Sequence, residues 1–197
     1  MVGTRKLIYA ALLTALSIVA SRLLSFMIPI GGVGAVRLGY GPVPVMLSGL
    51  MLGPWWGAAV GAVSDALGYV INPMGGAYLP QITVVSALSG LLPALFIQAI
   101  HHARLQRPHS HGNVPDGPEA GFGSILLAVT FTQILLSLIL MPVILYQAFG
   151  IPIVVNVPLR LLTQAILVPT YAIAIFAVYR AWGRYNAAVA GASAGGR

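Results

Sequence analysis

Apolar residues along this chain gather into six stretches, separated by polar or Gly/Pro-rich breaks. The first runs from about Leu7 to Ile28, the second from Val43 to Leu52 and the third from Trp55 to Ile71. The fourth runs from Ile82 to Ile100, the fifth from Phe122 to Phe149 and the sixth from Pro158 to Trp182. Pro142 predicts a kink in the fifth. The first is about long enough to cross a bilayer. Helix is the default for such segments, because a helix satisfies its own backbone in lipid. The second is too short. It makes only about 16 Å of helix, so it needs neighbouring protein to shield its ends, or joins the third through Gly53-Pro54 as a broken hairpin. The pattern predicts an all-α integral membrane protein, a six-transmembrane-helix bundle in one domain over residues 1–184. The small-residue tail at 185–197 reads as disordered.

Basic residues orient the bundle. Arg5 and Lys6 precede the first stretch, Arg104 and Arg107 follow the fourth, and Arg180, Arg184 and Arg197 close the chain. Lys and Arg favour the cytoplasmic side. Six crossings put all three groups on one side, with the N and C termini cytoplasmic. If the second stretch did not cross, Arg104 and Arg107 would lie opposite the N-terminus. The polar linker 101–121 is then a cytoplasmic loop.

Composition supports a lipid solvent. The chain is 58% hydrophobic and 7% charged, against roughly 25% charged in soluble domains. A net charge of +7 would suggest nucleic acid only if the cations formed one soluble face. Here they stand between apolar runs. With no cysteine there is neither a disulfide framework nor a thiolate metal site. The opening MVGTRK-LIYAALLTALSIVA also has the form of a signal peptide, but the apolar run continues to Ile30.

Within this frame Asp65 is conspicuous. It is one of three acids in the chain and lies inside the third stretch. A charge there costs at least ~2.5 kcal/mol, so it needs a partner. One reading is an ion pair with Arg22 or Arg160, or a polar contact between helices. The other is a ligand contact, because a carboxylate accepts a planar pair of N–H donors. Arg22, Arg37 and Arg160 all fall near the outer level. They either snorkel to headgroups or clamp an anionic ligand bidentately. Tyr40, Tyr69 and Tyr78 form an interfacial belt or supply flat faces for a ring. The segment INPMGGAYLPQIT, with Gly75-Gly76 between Pro73 and Pro80, suits a compact lid. Ala11 with Ala15, and Gly57 with Gly61, are small pairs four apart. They allow close helix approach, either within the bundle or to a partner. His101, His102, His109 and His111 could bind a metal adventitiously, although no carboxylate or thiolate stands close by. No GxxxxGK[ST], HExxH or GxSxG motif occurs. Asp65 alone provides no acid/base pair for catalysis.

The block from VRLGYG to LLPALF, with LGPWWG, GAVSDALGY, PMGGAYLP and SALSG in order, resembles the S components of energy-coupling factor (ECF) vitamin transporters. It is most similar to their folate-specific group. NVPLRLLTQAILVP, with Pro158, Arg160 and Gln164, resembles that group's last helix. The resemblance spans roughly residues 5 to 182. Where the family reads near Y-F-P-G-F-T, this chain has Tyr78-Leu79-Pro80-Gln81-Ile82-Thr83, which places Gln81 near the expected pocket. The resemblance implies a non-enzymatic, multi-pass cell-membrane subunit that captures folate from outside, with no cofactor. It implies a membrane coupling protein and two ATPase subunits as partners, with Ala11 and Ala15 against the coupling protein. The expected substrate-binding residues are Asp65, Arg22, Arg160, Tyr69, Tyr78, Gln81, Arg37 and Gln164. The alternatives are an S component for another anionic vitamin such as pantothenate, or a stand-alone proton-coupled transporter using Asp65.

Overall fold

The computed structural model describes residues 2–23, 25–30, 33–71, 78–105, 121–150 and 152–194. The helical class expected from the pattern holds, and each of the six apolar stretches contains a described helical segment. Helix α1 covers Val2–Leu23, α2 Pro42–Leu52, α3 Pro54–Ile71 and α4 Pro80–Leu105. The fifth passage comprises α5, Phe122–Gln133, a π-helical segment, Ile134–Leu140, and α6, Met141–Phe149. The sixth is α7, Ile153–Ala194.

Among the described residues, four helical runs are long and apolar enough to cross a membrane: Gly3–Arg22, Pro80–His102, Phe122–Phe149 and Asn156–Arg184. Polarity is inverted relative to a water-soluble protein. Trp55 is 80% exposed and Val154 81%, whereas Asn156 is 0% and Arg160 6% exposed. Large apolar side chains face outward along α1, α3, α5 and α7. A soluble monomer rarely exposes such faces.

The first expected helix stops short. It ends at Leu23, and residues expected to continue it form strand β1, Ser25–Ile30, antiparallel to β2, Val33–Gly39. Ser25 pairs with Gly39 and Ile30 with Val33, with an irregularity at Ile28/Pro29. Proline cannot donate to a ladder, so a bulge or edge is where it fits.

This hairpin explains the short α2. Ser17 of α1 donates to Gly41 O at 3.0 Å, and Tyr171 of α7 donates its hydroxyl to Gly39 O. Both donors lie inside their helices, so the chain leaving β2 re-enters the bundle before α2 begins. Protein, not lipid, satisfies its backbone. At the far end of α2, Gly53 adopts φ +111° and donates to Gly49 O at 3.0 Å. Pro54 then opens α3. This is the broken hairpin expected at Gly53-Pro54.

Helices α2, α3 and α4 meet without side chains between them. A Cβ at Gly49 would lie 2.0 Å from Gly90 O, and one at Gly57 2.4 Å from it. Gly61 packs equally closely on Ser86 O. Gly57 and Gly61 are therefore internal packing residues. Just ahead of Pro142, where a kink was expected, the helix forms a π turn. Met141 N–H reaches Leu136 O, five residues back. The widening precedes a residue whose ring crowds the carbonyl four positions earlier.

Helix α7 has 42 residues, about 63 Å at the helical rise and far beyond a hydrocarbon core of about 30 Å. It takes in residues 185–194, where a tail without structure was expected. Alanine in that tail is the strongest helix former. Similarly, α4 extends to Leu105, into the expected loop 101–121. Residues 106–120, with Arg107, His109 and His111, lie outside the described residues, as do residues 72–77 of the expected lid INPMGGAYLPQIT. His101 and His102 are exposed in α4, and among the described residues no His/Cys/Asp/Glu group could hold a metal.

Candidate functional site

The C-terminal ends of α1 and α3 and the N-terminal end of α4 meet around Asp65. Helix α3 places Asp65 on a half-buried face. Thr83, in the first turn of α4, donates its hydroxyl to Asp65 Oδ2 at 2.7 Å. Tyr78 OH lies 2.8 Å from Thr83 Oγ1. Thr83 has one hydroxyl hydrogen, directed to the carboxylate, so Tyr78 is the donor in that contact. The Tyr69 and Tyr78 rings stand 5.0 Å apart at 54°. An acid, a hydroxyl relay and two aromatic faces therefore share one place.

Arg22 borders the same group. Its Nη2 would lie 3.0 Å from a Cβ on Gly68, the helical neighbour of Asp65. A side chain at 68 would press on the guanidinium, which would have to shift by a few tenths of an ångström. Arg22 Nε is buried without a hydrogen-bond partner. Asp65 retains acceptor sites after the Thr83 contact, because an ionised carboxylate offers about four. Among the described residues it closes no ion pair with Arg22, so both retain unused hydrogen-bonding capacity for a third group.

A second polar group lies between α5, the π segment and α7. Arg160 Nε donates to Asn156 Oδ1 at 2.9 Å, and Arg160 Nη1 donates to Ser137 Oγ at 3.3 Å. Gln164 Nε2 donates to the same Ser137 oxygen at 2.7 Å. Gln133 Nε2 reaches Gln164 Oε1 at 3.1 Å. Asn156, Arg160 and Gln133 are buried, and Asn156 Nδ2 has no partner. In low dielectric such groups are costly unless satisfied.

The expected site residues thus divide. Asp65, Arg22, Tyr69 and Tyr78 come together. Arg160 and Gln164 form the second group, across the bundle on α7. About three turns beyond Arg160 along α7, Tyr171 lies on the helix face that carries Arg160 and Gln164 and donates to Gly39 O at the inner end of the hairpin. Gln81 is exposed at the start of α4. Arg37 belongs to β2, and its side chain lies outside the described residues. Tyr40 is exposed, its ring 5.9 Å from that of Tyr171. Sequence reasoning missed Thr83, Gln133, Ser137 and Asn156. Asn156 stands one helical turn before Arg160, a legible signal. Thr83 and Ser137 have no comparable local signal.

With this geometry described, known proteins give the context. The model of the ECF-type riboflavin transporter S component family matches residues 1–181. The chain belongs to the S components of ECF-type transporters. The folate transporter FolT of Clostridium novyi (strain NT) is 30% identical to this S component over 174 residues, covering 88% of this chain and 87% of FolT. A crystal structure of FolT bound with folic acid superposes with a TM-score of 0.67 at 23% identity, covering 88% of this chain and 93% of that one. The S component of a bacterial ECF transporter superposes at 0.61 with 19% identity, covering 93% and 98%. Membership makes this chain a multi-pass transporter subunit, not an enzyme.

Proposed function

We propose that this S component captures folate, or a reduced folate, from outside the cell membrane and delivers it to an ATP-driven membrane partner. The observation that carries this reading is Asp65. It is oriented by Thr83, flanked by two tyrosine rings and Arg22, and retains free acceptor capacity. A pterin carries an N3–H beside a 2-amino group, and a carboxylate accepts that donor pair in one plane. Tyr69 and Tyr78 offer ring faces for the pterin. Arg22, Arg37 and Arg160 with Gln164 are suited to the carboxylates of the benzoyl-glutamate tail.

The chemistry distinguishes folate from riboflavin, the vitamin in the family model's name. A flavin N3–H stands between two carbonyls. Asp65 would meet one donor and two repelling acceptors. The relative 30% identical over 88% of this chain is named for folate transport, which agrees with the carboxylate argument.

Six crossings would place Arg5, Lys6, Arg180 and Arg184 together on the cytoplasmic side. Ala11 and Ala15 are exposed on α1 among outward-facing Leu7, Leu12 and Leu16. We assign this face to the membrane coupling protein, with two ATPase subunits behind it.

The test is a titration of the purified chain in detergent, followed by tryptophan quenching or heat. One folate should bind per chain without ATP, in preference to riboflavin and pantothenate. Asp65→Asn replaces one acceptor oxygen by a donor and should weaken folate binding by more than about tenfold. Unchanged affinity, or a preference for riboflavin, overturns the assignment.

A further inference from the structure

Ser137 is unusual among the helical hydroxyls of this protein. Ser48, Ser64, Thr130 and Thr132 donate to carbonyls three or four residues back in their own helices. That local bond is the common fate of such a hydroxyl in a helix. Ser137 instead presents its oxygen to α7, where it accepts from both Arg160 Nη1 and Gln164 Nε2. It does so from within the π segment Ile134–Leu140. A π turn holds one residue more than an α turn. The extra residue rotates the remainder of the helix by about 100° relative to an unbroken α-helix.

We infer that the π turn exists to place Ser137 as the positioning residue of Arg160. Two of the contacts that hold the guanidinium come from α7 and the π segment. Asn156 Oδ1 takes Nε from the same helix, and Ser137 Oγ takes Nη1 from the facing one. Gln164, bonded to Gln133 and to Ser137, fixes the serine oxygen from the other side. Neither Asn156 nor Ser137 is an acid, so these two contacts orient the fork without neutralising its charge. An Arg held this way loses little side-chain freedom when an anion arrives, which is how preorganisation raises affinity. The inference rests on the reading of Arg160 as a clamp for a carboxylate ligand, and it predicts that Ser137 acts on the anionic part of the ligand alone.

The experiment has two arms, both on the full chain. In the first, Ser137→Ala and Ser137→Thr are titrated with folate and with 6-methylpterin, which carries no carboxylate. Ser137→Ala should weaken folate binding by about tenfold and 6-methylpterin binding by less than about twofold, and the hydroxyl of Ser137→Thr should restore the folate value. Equal losses for both ligands, or none, overturn the inference. If Ser137→Ala does not purify, Ser137→Cys replaces it, with the same expectations. The second arm needs no vitamin. In arginine-¹⁵N-labelled protein, Arg160→Lys identifies the Arg160 Nε–H resonance. Ser137→Ala should shift or broaden that resonance and speed its solvent exchange, and an unchanged resonance overturns the inference. Should the wild-type chain bind no folate, the folate reading fails, and the second arm still decides whether Ser137 positions Arg160.

Discussion

Thr83 donates to Asp65 across 2.7 Å, bridging α4 and α3 over eighteen residues of sequence. Thr83 has a single hydroxyl hydrogen, so Tyr78 must donate to it, and the loop before α4 is tied to the acid through that relay. A hydrogen bond to a charged group is worth about 1.5–3 kcal/mol. Thr83→Val keeps the shape and removes the relay. We expect folate affinity to fall roughly tenfold with the fold intact. Titration alongside a thermal melt would check this; full affinity would show that Thr83 does not orient the carboxylate.

The glycine crossing of α2, α3 and α4 predicts a steep stability effect. Gly90→Ala would place its Cβ 2.1 Å from Gly57 O. Backbone must move, and overpacking of this kind costs about 1–3 kcal/mol. Gly123 has open space around it, so Gly123→Ala should be neutral or stabilise by up to about 1 kcal/mol. Thermal midpoints of the two variants in the same detergent make the comparison. Equal midpoints would remove the crossing as a source of stability.

Tyr171 holds the hairpin from inside α7. Tyr171→Phe leaves the Gly39 carbonyl in a buried place without its donor, at a cost of about 1–3 kcal/mol. Hydrogen exchange of the β2 amides should accelerate in this variant, while the α5 amides should keep their rates. Uniform rates across both would mean that other contacts anchor the strand.

If the outward face of α1 docks the coupling protein, variants there should separate binding from transport. Ala11→Trp and Ala15→Trp add bulk where Ala11 and Ala15 are exposed. Folate titration should be unchanged, whereas copurification with the coupling protein and ATP-driven uptake should be lost. Retained uptake would move the partner surface elsewhere.

The helical class and positions of the apolar passages were legible in sequence, because lipid forces long apolar runs into helices. The membership expected from LGPWWG, GAVSDALGY and PMGGAYLP is the one the family model shows. Asp65 with Tyr69 and Tyr78 was legible as a group, since a rare acid inside an apolar stretch lies one helical turn from one of these rings and thirteen residues ahead of the other. Other features depended on contacts far apart in sequence. The turn of Ser25–Ile30 into a strand needed a partner strand and donors from α1 and α7, so apolar periodicity alone mistook it for helix. The role of α2 came from the hairpin that shields it. Thr83 met Asp65, and Ser137 met Arg160, only because two helices present facing sides, which local pattern does not encode. Read alone, the chain located its apolar stretches and singled out the few charges placed among them. The tertiary structure decided which partners satisfy them, because hydrogen bonds act over about 3 Å and that closeness is set by helix packing.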